Sequence, residues 1–166
     1  MIKTLRLAQG FTLVEIIVVM AVMGIFLVVG TTTYTNQVHE KELKTDADRI
    51  VNEIEKARQD VLARNVFGYT ACNHNGISLY GYSLPNSTYN IVLHCVTTWH
   101  NIREGTLEHS YIARTEPFLQ IYFPYPYGVL MNNELVTIHH NTTNRCININ
   151  TGPYTPATAS DPYDCT

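Results

Sequence analysis

Apolar and polar positions divide this chain into three stretches with different periods. From Phe11 to Gly30 there are twenty residues, of which Glu15 alone is charged. At ~1.5 Å per residue, a helix of that length spans ~30 Å, the thickness of one hydrocarbon core. The pattern therefore predicts a membrane helix over residues 11–34. From Thr35 to Arg64 the pattern becomes amphipathic. Leu43, Ala47, Ile50, Ile54, Ala57 and Val61 recur at spacings of three and four, which puts them on one stripe facing a sheet or neighbouring helices. The two halves together predict one helix of ~50 residues, ~75 Å long. Gly24 and Gly30 each weaken it by ~1 kcal/mol relative to Ala, and Thr31-Thr32-Thr33 is a β-branched run. With no proline before Pro85, the helix is expected to be continuous.

After Asn65 the period changes to that of strands. Val66–Cys72, Gly76–Tyr82 and Tyr89–Val96 are rich in aromatic and β-branched residues, and Asn73–Gly76 and Pro85-Asn86-Ser87 interrupt them as turns. Further strands are predicted at Leu107–Ile112, Leu119–Phe123, Gly128–Met131, Leu135–His139 and Arg145–Ile149. Leu119, Ile121 and Phe123 alternate with Gln120 and Tyr122, as in a half-buried strand. Asn132-Asn133 suits a tight hairpin turn, and Thr151–Thr166, with three prolines, reads as a loop. The fold class is α+β: a long N-terminal helix packed on an antiparallel β-sheet head. The divisions are 1–10 as a leader, 11–34 as the membrane half of the helix, 35–65 as its amphipathic half, and 66–166 as the β-rich head.

Composition refines this picture. About 136 residues remain beyond the apolar run, enough for one domain with its own core. Cys72, Cys95, Cys146 and Cys165 all follow the apolar run, and an even count suits two disulfides in an oxidising compartment. Four cysteines allow three pairings, and proximity in sequence favours Cys72–Cys95 with Cys146–Cys165. The helix half after Thr35 carries six basic and seven acidic residues, among them Lys41, Glu42, Asp46, Arg49, Glu53, Asp60 and Arg64. They read either as a solvated face with i,i+4 pairs or as complementary charge between subunits.

Glu15 and the residues before it carry the functional signal. A carboxylate inside an apolar helix is costly, so it implies a specific cationic partner. Met1–Gly10 contains Lys3 and Arg6 and no acidic residue, which keeps the N-terminus cytoplasmic and sends the remainder outward. A secretory signal has a shorter apolar core with a small-residue cleavage site after it. Here the small residue, Gly10, precedes the apolar run. Gly10, Phe11, Thr12, Leu13 and Glu15, followed by that run, closely resemble the start of type IV prepilins and pseudopilins. The resemblance implies that a prepilin peptidase cuts after Gly10 and that the new amine of Phe11 is N-methylated. It implies that Glu15 neutralises the terminal amine of a neighbouring subunit during assembly. It also agrees with a C-terminal loop closed by a disulfide. A looser likeness, in the Ala57-Arg58 to Arg64-Asn65 helix end and the Phe123-Pro124 to Gly128 turn, points to H-type minor pseudopilins of type II secretion and to related minor pilins of type IV pili. The cysteine-closed tail favours the pilus branch.

The expectation is thus a structural subunit, a minor pilin of a type IV pilus or related filament. It would be a single-pass protein of the inner membrane with its head outside the cytoplasm, and would later enter the filament. Its partners would be prepilin peptidase and other pilin or pseudopilin subunits. The alternatives are a minor pseudopilin of a type II secretion system, or a head that binds DNA or a surface ligand. Nucleic-acid binding is disfavoured: the formal charge is −3, and removing Lys3 and Arg6 leaves −5. In the head, Arg103, Arg114 and Arg145 face six acidic residues. No enzyme activity, cofactor or metal is expected. A zinc site from Cys72, His74, His94 and Cys95 is conceivable, but the spacing matches no known signature. His139-His140 reads as a solvated pair at a strand end. Asn86-Ser87-Thr88 and Asn141-Thr142-Thr143 match the glycosylation acceptor pattern, and in a bacterial chain mark exposed loops.

Overall fold

In the computed structural model, Leu13–Leu62 is one uninterrupted α-helix, α1, of 50 residues. The structure describes residues 12–70, 72, 74–82, 87–113, 118–128, 130 and 134–165; for Val29, Thr32, His74, Asn75, Tyr82 and Phe118 it describes the backbone alone. The leader, Gly10, Phe11, Arg114 and the expected turns at Pro85-Asn86 and Asn132-Asn133 lie outside the described residues. The chain divides into two compact units, one ending at Val38 and the other covering His39–Thr166.

In the first unit, helix propensity prevails over the local breakers. Gly24, Gly30 and the threonine run are all helical, and Thr31 turns its hydroxyl back to the carbonyl of Val28 at 3.0 Å, which satisfies a polar side chain without leaving the helix. The apolar side chains from Leu13 to Leu27 stand exposed around the helix. This segment is long and apolar enough to cross a membrane.

In the second unit, the six residues of the predicted stripe are all fully buried. They lie over two antiparallel sheets. The first has the order β3-β2-β1-β5, built from β1 (His74–Tyr82), β2 (Thr88–Cys95), β3 (Trp99–Thr106) and β5 (Phe118–Pro124). The second runs β4-β6-β7-β8, with β4 (Ser110–Ala113), β6 (Glu134–His140), β7 (Arg145–Thr151) and β8 (Thr158–Ala159); β9 (Tyr163–Asp164) also pairs with β7. Register explains the core. Leu93, Ile77 and Phe123 stand abreast across β2, β1 and β5, as do Ile91, Leu79 and Ile121. Across the second sheet Ile112, Ile138 and Ile147 form a matching row. Such cross-strand rows on one face are the unit of sheet stabilisation, and with the helix stripe they form one hydrophobic core.

Several strands depart from the sequence expectation. Among the described residues, Val66–Thr70 and Cys72 form turns, with Tyr69 N–H donating to the Val66 carbonyl and Cys72 N–H to that of Tyr69. The aromatic and β-branched content of the segment suggests a strand, but no strand pairs with these residues among those described. The strand expected at Gly128–Met131 is also absent among the described residues: 125–128 form a turn closed by Gly128 N–H on the Pro124 carbonyl. Gly128 has φ +59°, a conformation open to glycine at little cost. Leu107–Ile112 is a strand only from Ser110. Conversely, β3 was not expected. It is an edge strand of mostly polar residues, paired on one side only, with a bulge opposite Ile91/Val92. Within it Gly105 lies close against Tyr89: a Cβ there would meet the ring at 2.4 Å and force it to shift.

Candidate functional site

The start of α1 is built by Thr12 and Glu15. The Thr12 hydroxyl accepts the N–H of Glu15 at 3.3 Å, and the Glu15 carboxylate accepts the N–H of Thr12 at 3.4 Å. This reciprocal arrangement is a capping box. Thr-x-x-Glu before an apolar run is its sequence signal, and here the same glutamate falls at the fifth place after Gly10. Glu15 is exposed, with Leu13, Val14, Ile16 and Ile17 exposed beside it. The capping contact occupies one carboxylate oxygen and brings no positive charge. A helix that is apolar on all sides suits a lipid or helix-bundle environment, where a carboxylate side chain is costly without a specific partner.

In the second unit the charged faces of α1 fasten the head to the helix. Asp46, only 1% exposed, accepts the N–H of His109 at 2.9 Å and that of Glu108 at 3.4 Å. Arg49 donates to the Thr106 carbonyl at 2.7 Å. Arg103, reaching in from β3, pairs with Glu53 at 3.0 Å and Asp60 at 2.7 Å. Arg58 donates to the carbonyls of Gly152 and Thr155, and Glu55 accepts the N–H of Ala157 at 2.7 Å. Arg145 bridges Glu40 and Asp164, and its pKa is raised chiefly by the hydrogen bond to Asp164. A solvated face thus describes only part of this helix.

Cysteine and histidine placements complete the inventory. Cys72 is bonded to Cys95 and Cys146 to Cys165, so the sulfurs of the conceivable Cys72/Cys95 zinc site are not available as thiolates. The Cys146–Cys165 bond closes the tail, helped by the Asn144 amide, which donates to the Cys165 carbonyl at 3.0 Å. His140 is not solvated: it ends β6 at 5% exposure, turned toward Glu42. Beside Cys72–Cys95 lies an open cleft of about 670 Å³ lined by Tyr69, Val96, Thr98 and His100, with Tyr69 and His100 stacked at 3.9 Å.

His94 lies on the outer side of the first sheet, against Trp99 and Tyr122 at ring separations of 5.2 and 5.3 Å. Its Nε2 is buried without a hydrogen-bond partner, and burial pushes its pKa below the ordinary 6.5. The unfolded chain therefore takes up this proton first as pH falls. The stability tied to neutral His94 is fully present above pH 6.5 and is lost as pH drops from there toward the lower folded-state pKa. His94→Phe keeps the aromatic packing and removes the proton. Thermal melts from about pH 7.5 to about pH 5 are expected to show a smaller acid-side loss for the variant. An unchanged profile would contradict this role.

Residues 5–31 match the family model of the prokaryotic N-terminal methylation motif. No curated protein and no solved structure gives a significant match to the chain. The matched span contains Gly10, Phe11, Thr12 and Glu15 and ends at Thr31, inside α1.

Proposed function

From the premise that this chain carries the N-terminal methylation motif marking type IV prepilin-like proteins, we propose that it is a structural subunit, a minor pilin, of a type IV pilus or related filament. In this reading it is cut after Gly10, methylated on the amine of Phe11, held in the inner membrane by the first half of α1, and drawn from there into a helical assembly. The observation that carries it is the matched motif on a helix whose apolar side chains are exposed from Leu13 to Leu27 with one carboxylate among them. Such a surface is stable only in lipid or among like helices, and a filament of such subunits replaces one with the other. The closed C-terminal loop favours the pilus branch over the secretion branch. Nucleic-acid binding is disfavoured because Arg103 and Arg145 are already engaged by carboxylates of the same chain.

Intact mass and N-terminal sequencing of the protein from its native membrane test the reading. The expected mature chain begins at N-methylated Phe11. A chain that keeps Met1, or one cut near Thr31, would overturn it.

A further inference from the structure

Far from Glu15 in sequence, three segments bring imidazoles to one carboxylate. His39 and Glu42 lie one turn apart on α1, His140 ends β6, and His109 sits between β3 and β4. Glu42 Oε2 is 3.1 Å from His39 Nδ1 and 3.3 Å from His140 Nε2, and its Oε1 is 3.8 Å from His109 Nδ1. The His39 and His140 rings meet edge-on at 5.0 Å. Both groups of donors are held from behind. The Thr142 N–H donates to His140 Nδ1 at 3.3 Å, and the Thr142 hydroxyl lies 3.3 Å from the same atom. In the metal-free chain the His140 ring proton is therefore on Nε2, facing Glu42, and a metal at Nε2 requires it on Nδ1, donating to the Thr142 hydroxyl. Asp46 fixes the backbone of His109.

We propose that His39 Nδ1, Glu42 and His140 Nε2 form a binding site for a divalent transition metal of the zinc type, with water or His109 in the remaining position. Two imidazole nitrogens and one carboxylate suit zinc-like ions, whereas calcium and magnesium prefer all-oxygen sets. Metal–ligand bonds of ~2.0–2.2 Å in a tetrahedron place neighbouring donors ~3.3–3.6 Å apart. The two shorter separations here, 3.1 and 3.3 Å, are close to that spacing, and all three donor atoms lie within 4.8 Å of one another. Small adjustments of the half-buried His39 side chain would close the set. Three protein ligands with a fourth place open to water is also a common zinc arrangement. Metal bound here would tie α1 directly to the end of β6.

The test uses the full chain in detergent, stripped with chelator and dialysed. Zinc is titrated by calorimetry and cobalt(II) by its visible ligand-field bands. The expected result is one saturable site per chain, a rise in melting temperature with zinc that chelator reverses, and cobalt bands of a four-coordinate site. His39→Gln, on the more exposed side of the site, is expected to raise the dissociation constant at least ~10-fold without loss of fold. His140→Gln should do the same but removes a buried side chain, so His39→Gln is the decisive variant. His100→Gln, outside the cluster, should leave affinity unchanged. No saturable binding, or binding unaffected by His39→Gln, would overturn the proposal.

Discussion

Arg103→Ala is expected to destabilise the folded chain by about 3–5 kcal/mol. The guanidinium sits between two carboxylates of α1, Glu53 and Asp60, with all three side chains 15–21% exposed. It also lies over the Phe67 ring, 5.8 Å from the centroid. Truncation leaves two neighbouring negative charges partly buried with no cation between them, and that residue of unpaired charge dominates the cost. In thermal melts of the full chain this is a drop of roughly 6–20 °C. Pairing Arg103→Ala with Asp60→Asn should recover part of the loss, because one stranded charge is removed. A drop below about 1 kcal/mol would mean the pairs behave as exposed surface bridges. The consequence for organisation is plain: β3 is an edge strand joined to β2 on one side, and Arg103, together with Arg49 on the Thr106 carbonyl, anchors it to the helix.

The second large effect concerns Glu15. Glu15→Gln is expected to be processed and held in the membrane at normal abundance, yet to enter filaments at least ~100-fold less than the native chain, as for a lost low-dielectric ion pair of about 3 kcal/mol. Glutamine is the informative replacement because of the capping box at Thr12. A glutamine still reaches back to the N–H of Thr12, so the helix start is retained and only the charge is removed. Glu15→Ala removes both and adds about 1 kcal/mol of helix fraying. Filament yield, measured by immunoblot of sheared filaments against membrane fractions, separates the two contributions. Equal incorporation of native chain and Glu15→Gln would show that the carboxylate acts only as a cap.

How far sequence could anticipate this structure depended on the size of each periodic signal. The helix stripe was legible because six apolar residues, Leu43 to Val61, repeat over five turns, and burial follows that period one for one. The alternation at Leu119–Phe123 identified β5 for the same reason. The edge strand β3 was not legible: Trp99 is 70% exposed, and a strand paired on one side needs little apolar content. Two-residue strands such as β8 and β9 are too short to have a period, and they exist because the closed tail is held against β7. The N-terminal motif was legible because order and spacing carry it, independent of tertiary contacts. The His39–Glu42–His140 group was not, since His140 is 98 residues from Glu42 in sequence and only the fold brings it to the helix.

The way α1 holds the tail has a bearing on how this surface can evolve. Arg58 grips the carbonyls of Gly152 and Thr155, and Glu55 takes the N–H of Ala157. These are main-chain groups, identical whatever side chain stands at the position. Tyr154, 89% exposed, and its neighbours Thr155 and Pro156 point outward from a loop whose backbone is already anchored. Substitutions on the outward face of this loop therefore cost little attachment, while Arg58 and Glu55 hold its backbone from beneath.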